Sequence, residues 1–254
     1  MLIIRNDAGY LRLSELLTEA YVGKDRNIHH AELNPEWLEN GDNSGLICLS
    51  GAHYGEVGVN LLNGNEDAAR AAALKYAAWF PDAFYLELQR LPERPEWEAC
   101  VSGSVKLAEE LGLPVVATHP TQFMSSDDFN AHEARVCIAG GWVLTDKKRP
   151  RDFTPSQFFI PPETMAERFA DLPEALENTV EIAKRCNLHI TLGKNFLPLF
   201  PTPDGLSLDD YLVKLSNEGL QERMVQLYPD EAERAAKMPE YQERLDFELN
   251  IIIQ

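Results

Sequence analysis

"NEDAARAAALKYAAWFPDAFYLELQ", residues 65–89, carries a helical pattern directly into a strand pattern, and this handover sets the fold class. Alanine dominates the first part, and no residue costs less to place in a helix. Asn65 stands where an N-cap belongs, Glu66 and Asp67 sit at the positive end of the helix dipole, and Pro81 stops the run. AFYLELQ (83–89) then alternates, with Phe84, Leu86 and Leu88 on one strand face. The same pairing recurs on either side. LIIR (2–5) precedes a helix marked by Leu11, Leu13, Leu16, Leu17, Ala20 and Tyr21. GLICLS (45–50) leads into YGEVGVNLL, and VKLAEELG ends at Gly112, a natural C-cap, before the strand PVVAT (114–118). Strands that each feed a helix predict a β/α architecture with a largely parallel sheet.

Beyond about residue 125 helical patterns take over. SSDDFNAHEARVCIAGG (125–141) opens with a capping sequence, and Phe129, His132, Ala134, Val136 and Cys137 form its less polar face. A basic loop, DKKRPRDFTP (146–155), separates it from PETMAERFAD and PEALENTVEIAKRCN, two helices each begun by proline. LHITL (188–192) alternates as an edge strand would, placing His189 toward water. LGKNFLPLFPTPDGLS is an extended connector rich in proline and glycine, followed by amphipathic helices over SLDDYLVKLSNEGLQERMVQLYP and PEYQERLDFELNIIIQ. The expected division is 1–192, a connector at 193–206, and a helical piece at 207–254. ERLDFELNIIIQ runs apolar and uncapped to Gln254, and LIIR starts a strand with no earlier partner, so the expectation is a piece of a longer protein.

The 254 residues are 44% apolar, enough for a substantial core. No stretch approaches the roughly 20 apolar residues of a membrane span, and MLIIRNDAGY lacks the pattern of a signal peptide. The expected compartment is the cytoplasm. Four cysteines, Cys48, Cys100, Cys137 and Cys186, stand singly, without the pairing that grips zinc, and read as free thiols. A net charge of -18 repels a phosphate backbone, so nucleic acid should be held mainly elsewhere.

Ligands in β/α folds gather at the carboxyl ends of strands. Three such exits carry chemistry-bearing residues: SGAHYGE (50–56) with His53 and Glu56, the end of AFYLELQ with Glu87, Gln89 and Arg90, and THPTQ (118–122) with His119. His53, His119, Glu56 and Glu87 compose the one metal-dependent phosphoesterase this inventory allows, in competition with ordinary hydrogen-bonded roles. His29 and His30 read as loop residues and His132 as packed on its helix. There is no G-x-S-x-G elbow, P-loop or dinucleotide fingerprint. Lys147, Lys148, Arg149 and Arg151 read as a solvated loop rather than a DNA-binding module.

Several segments together resemble the PHP domain and the start of the polymerase region of bacterial DNA polymerase III alpha subunits. They include NDAGYLRLSELLTEAY (6–21), GLICLSGAHYGEVG (45–58), LGLPVVAT (111–118), DDFNAHEARVCIAGG (127–141), DLPEALENTVEIAKRCN (171–187), FLPLFPTPDGLSLDDYL (196–212) and PEYQERLDFELNII (239–252). The resemblance implies a distorted β/α barrel whose first strands precede Met1, followed by a helical approach to the palm and thumb. It implies a replicative, DNA-directed polymerase, using magnesium on carboxylates beyond Gln254. Where members bind metal in the PHP domain, Cys, Asp and His stand at the positions of Ala52, Pro120 and Gln122, so the implied metal site here lacks those ligands. His119 matches the position just before the lost Asp. A degenerate centre implies that a separate proofreading exonuclease subunit docks on the domain, alongside the other holoenzyme subunits.

Overall fold

The structure, a computed structural model, describes residues 1–24 and 26–254. It divides into two units, Met1–Ile190 and Thr191–Gln254.

The first unit is built on four strands in the order β1 (Leu2–Ile4), β2 (Leu46–Leu49), β3 (Phe84–Gln89) and β4 (Val115–Thr118). The β2, β3 and β4 strands run parallel, while β1 lies antiparallel on the β2 edge, pairing Leu2 with Cys48. This mixed sheet suits the sequence. The β2 strand is buried at every position, as parallel strands covered on both faces are.

Helix α1 (Asp7–Val22) follows β1 and is capped by Asn6, whose side chain accepts from the Gly9 amide. Gly9 and Gly45 let α1 and the chain entering β2 meet backbone to backbone, since a Cβ at Gly9 would strike the Gly45 carbonyl. Helix α2 (Pro35–Glu39) is a short element the hydrophobic pattern does not announce, although Asn34 and Pro35 are a cap and a first-turn proline. After β2 come a 3-10 turn (Ala52–Tyr54), α3 (Glu56–Leu62) and α4 (Glu66–Trp79). Asn65 occupies the cap position of α4 without a side-chain bond. Helix α5 (Trp97–Leu111) links β3 to β4 and ends at Gly112 in the left-handed region, as the sequence predicts.

An excursion follows β4, with a capping box of Ser125 and Asp128 ahead of α6 (Phe129–Gly140). Helices α7 (Pro162–Arg168) and α8 (Pro173–Arg185) each start at proline. Helix α8 packs on β4, where Asn178 Nδ2 donates to the Val115 carbonyl at 2.8 Å. Leu46, Ile47, Leu86, Val116, Phe80 and Phe169 lie at the centre of the core. The expected edge strand at LHITL is absent. Residues 188–192 adopt no regular structure and His189 is simply exposed, although the Asn187 amide donates to the Arg5 carbonyl beside the edge strand β1.

In the second unit residues 191–202 are irregular, ahead of α9 (Leu208–Leu227) and α10 (Glu231–Ile253). The two helices pack as an antiparallel pair, tied by Gln242 Nε2 donating to Asn217 Oδ1 and by Tyr228 against Tyr241. Helix α10 begins well before PEYQERLDF, because Asp230 caps it through the Glu233 amide, and Pro239 falls inside it. Among the described residues no helix is long and apolar enough to cross a membrane.

Candidate functional site

The three parallel strands deliver Ser50, Glu87 with Gln89, and Thr118 to one end of the sheet. After β2 the chain must turn sharply, and Gly51 (φ 84°) and Ala52 (φ 45°) both take left-handed backbone. Glycine accepts this freely, and alanine does so under strain. The turn is fastened by Glu87, whose side chain is 5% exposed. Its Oε2 accepts from the Gly51 amide at 3.1 Å, and its Oε1 accepts from the Thr118 hydroxyl at 2.6 Å and from Gln89 Nε2 at 3.3 Å. Ser50 Oγ accepts from the Glu87 amide at 2.9 Å. Both oxygens of this carboxylate are therefore committed to neutral donors on the three strands and the turn.

His119 leaves β4 and is also committed. Arg168 of α7 donates from Nη1 to His119 Nδ1 at 3.3 Å, and a guanidinium can only donate, so Nδ1 holds the lone pair. Nε2 then carries the proton, donated to the Phe158 carbonyl at 3.0 Å. Burial lowers the His119 pKa first and the Arg168 charge adds to it, against carbonyl bonds from Phe158 and Ser156 that favour the proton. The ring is held neutral. Pro120 contributes its carbonyl to Gln157 Nε2 at 3.1 Å, and the exposed Gln122 contributes its amide to the Gln157 carbonyl at 2.7 Å. Phe123 and Phe158 extend this neck as a parallel bridge.

His53 points into a different environment. It stacks on Trp97 with ring centroids 3.5 Å apart, is 8% exposed, and neither ring nitrogen has a partner. Burial lowers its pKa, Arg94 adds to this, and Glu96 opposes it. Glu56 pairs with Lys75 Nζ at 2.7 Å and accepts from the Tyr76 hydroxyl, whose pKa burial and this carboxylate push up to about 12. Arg90 forks between Glu98 and Asp171 above the Phe169 ring.

The candidates His119, Glu56 and Glu87 thus bond to three separate sets of neighbours, and His53 stacks on Trp97 without a hydrogen bond. Among the described residues no three His, Cys, Asp or Glu side chains converge as a metal set. The donors at this strand end do not fit a divalent transition metal: Ala52 and Pro120 have no side-chain donor, Gln122 offers a neutral amide, and His119 has no free lone pair. Sequence reasoning passed over Thr118, Ser50, Trp97 and Arg168. Only Thr118 and Ser50 carried a signal, as polar residues ending buried strands.

The basic loop requires a correction. It is not uniformly solvated: Arg149 is 9% exposed and pairs with the equally buried Glu133 of α6 at 2.5 Å. Lys147, Lys148 and Arg151 remain outside. His132 packs between Phe123 and Phe153 with both nitrogens unpartnered, in line with its reading as a packed residue.

Comparison with known proteins agrees with this layout. The PHP domain family matches residues 1–91. Over its whole length the chain is also 98% identical to the DNA polymerase III subunit alpha of Neisseria meningitidis serogroup A, and it spans 22% of that protein. It is 48% identical over 249 residues to the Escherichia coli K12 subunit alpha and 46% identical over 255 residues to that of Pseudomonas fluorescens, spanning 21% and 22% of them. The chain therefore covers about a fifth of the length of these curated relatives, and the PHP match takes in β1 to β3 of the sheet.

Proposed function

We propose that this chain is the PHP-containing part of a replicative DNA polymerase alpha subunit, and that its strand-end site is a scaffold without metal chemistry. Residues 1–192 serve as the PHP domain, 193–206 as the connector, and 207–254 as the helical approach to the polymerase palm and thumb. The complete protein extends DNA by nucleotidyl transfer in the cytoplasm, with magnesium and most DNA contacts supplied by residues outside these 254. The PHP domain supplies a docking platform for the proofreading exonuclease subunit of the holoenzyme. The full-length similarity to alpha subunits supports the polymerase reading. One observation carries the scaffold reading: His119 has both nitrogens engaged between Arg168 and Phe158, and the residues after it, Pro120 to Gln122, tie into Gln157 rather than toward an open site.

The test uses the complete alpha polypeptide. It should bind the exonuclease subunit, carry no stoichiometric zinc or manganese after dialysis, and show no chelator-sensitive phosphoesterase activity. Hydrolysis that disappears in His119→Ala would overturn the scaffold role, and absence of exonuclease binding would overturn the docking role.

A further inference from the structure

The surface formed by residues 138–151 is not used by the strand-end scaffold. Ile138, on the last turn of α6, is 83% exposed, and Val143 is 67% exposed. Between them α6 ends at Gly141 in the left-handed region, and the Trp142 amide donates back to the Cys137 carbonyl at 2.8 Å. The Trp142 indole lies against Gly140, where any Cβ would strike it, and is still 40% exposed.

Lys147 and Lys148 follow directly. They sit on a turn in which the Asp146 amide donates to the Val143 carbonyl and Asp146 Oδ1 accepts from the Lys148 amide. The loop is pinned from inside, because Arg149 reaches into the protein, donating to the Leu144 carbonyl at 3.2 Å and pairing with Glu133. Farther on, the Arg151 carbonyl accepts from Arg94. Exposed apolar side chains and exposed cations thus share one short stretch of chain tied down by backbone and ion-pair contacts, in a protein of net charge -18. Surfaces that are ordered before binding lose less entropy when they bind.

We propose that residues 138–151 form a docking surface for a protein partner bearing a short acidic segment interleaved with apolar side chains. Ile138, Trp142 and Val143 take the apolar groups, and Lys147, Lys148 and Arg151 face the carboxylates. Charge complementarity selects this occupant. A nucleic-acid strand fits less well, because Ile138 and Val143 offer no flat face for base stacking and the one indole, Trp142, is laid against Gly140. A long polyanion also meets the repulsion of a protein of net charge -18, whereas a short acidic segment, screened beyond a Debye length of about 8 Å, meets less of it. The proposal does not depend on the exonuclease reading.

The test is fluorescence anisotropy on the complete alpha polypeptide with a fluorescein-labelled peptide of about a dozen residues alternating Glu or Asp with Leu or Phe. Saturable binding is expected, weakening on going from about 50 to about 300 mM salt. It should fall at least about tenfold both in Lys147→Glu/Lys148→Glu and in Ile138→Ser/Val143→Ser. Lys106→Glu/Lys214→Glu, exposed cations elsewhere, should bind as wild type, and a lysine-for-acid version of the peptide should not bind. The proposal is overturned by absence of saturation, by equal binding to the island variants, or by an oligothymidylate that binds this surface more tightly than the peptide. Every substituted side chain in the island is exposed, so the variants fold.

Discussion

Glu87 is the side chain on which the strand-end layout most depends, and Glu87→Ala is the sharpest test of it. The carboxylate holds the Gly51 amide, the Thr118 hydroxyl and the Gln89 amide, and is itself buried. Truncation leaves the Gly51 N–H and the Thr118 hydroxyl without acceptors in a space water enters poorly. Each orphaned buried group costs about 1–3 kcal/mol. Thr118 keeps its bond from Gln89 Nε2 at 2.9 Å, which reduces its share. The expected loss is therefore about 2–5 kcal/mol. Glu87→Gln retains the shape: its amide oxygen serves Gly51 and its NH2 donates to Thr118 Oγ1, so the hydroxyl proton and one Gln89 Nε2 hydrogen lose their acceptor. That variant should lose about 1–2 kcal/mol. Urea unfolding reads both values through the midpoint at unchanged slope, with tryptophan fluorescence as the probe, since Trp97 stacks on the turn Glu87 fastens. Faster hydrogen exchange at the Gly51 amide should accompany the loss. If Glu87→Ala falls within about 0.5 kcal/mol of wild type, the carboxylate is not holding the three exits together.

Two further outcomes follow from the packing. Gly9→Ala should destabilise by about 1–3 kcal/mol despite the better helix propensity of alanine, because its Cβ meets the Gly45 carbonyl; a higher melting temperature would contradict the close approach of α1. Acidification should weaken the fold through His132, whose pKa is lowered by burial first and by Arg135 second, against Glu133. With the folded pKa below the unfolded value of about 6.5, the unfolded chain takes up the proton first, so stability is full above that pH and declines as pH falls below it. His132→Phe should flatten part of that decline in urea titrations between about pH 7.5 and 5, and an unchanged slope would refute the assignment.

The repeated strand-to-helix handover was legible from local chemistry. Alanine-rich α4, Pro81, the alternation through Leu88 and the left-handed Gly112 act within a few residues of themselves, so spacing alone reveals them. The same holds for the proline starts of α7 and α8. The exits of the three strands were also correctly marked as polar.

Partners across the chain were not legible. Nothing near Glu87 in sequence shows that its carboxylate faces Gly51 and Thr118, 36 and 31 residues away, rather than His53 or His119. Nor does the basic run show that Arg149 turns inward to Glu133 while its neighbours stay in water. The alternation at LHITL did not become a strand although β1 leaves an open sheet edge nearby, so the pattern alone did not decide the pairing. Sequence by itself determined the four strands and most of the helices, and showed that Ala52 and Pro120 carry no side-chain donor, because those depend on each residue's own chemistry. Only the tertiary structure decided what each buried polar group bonds to, because a carboxylate, imidazole or guanidinium removed from water takes whichever partner the packing of distant segments brings within reach.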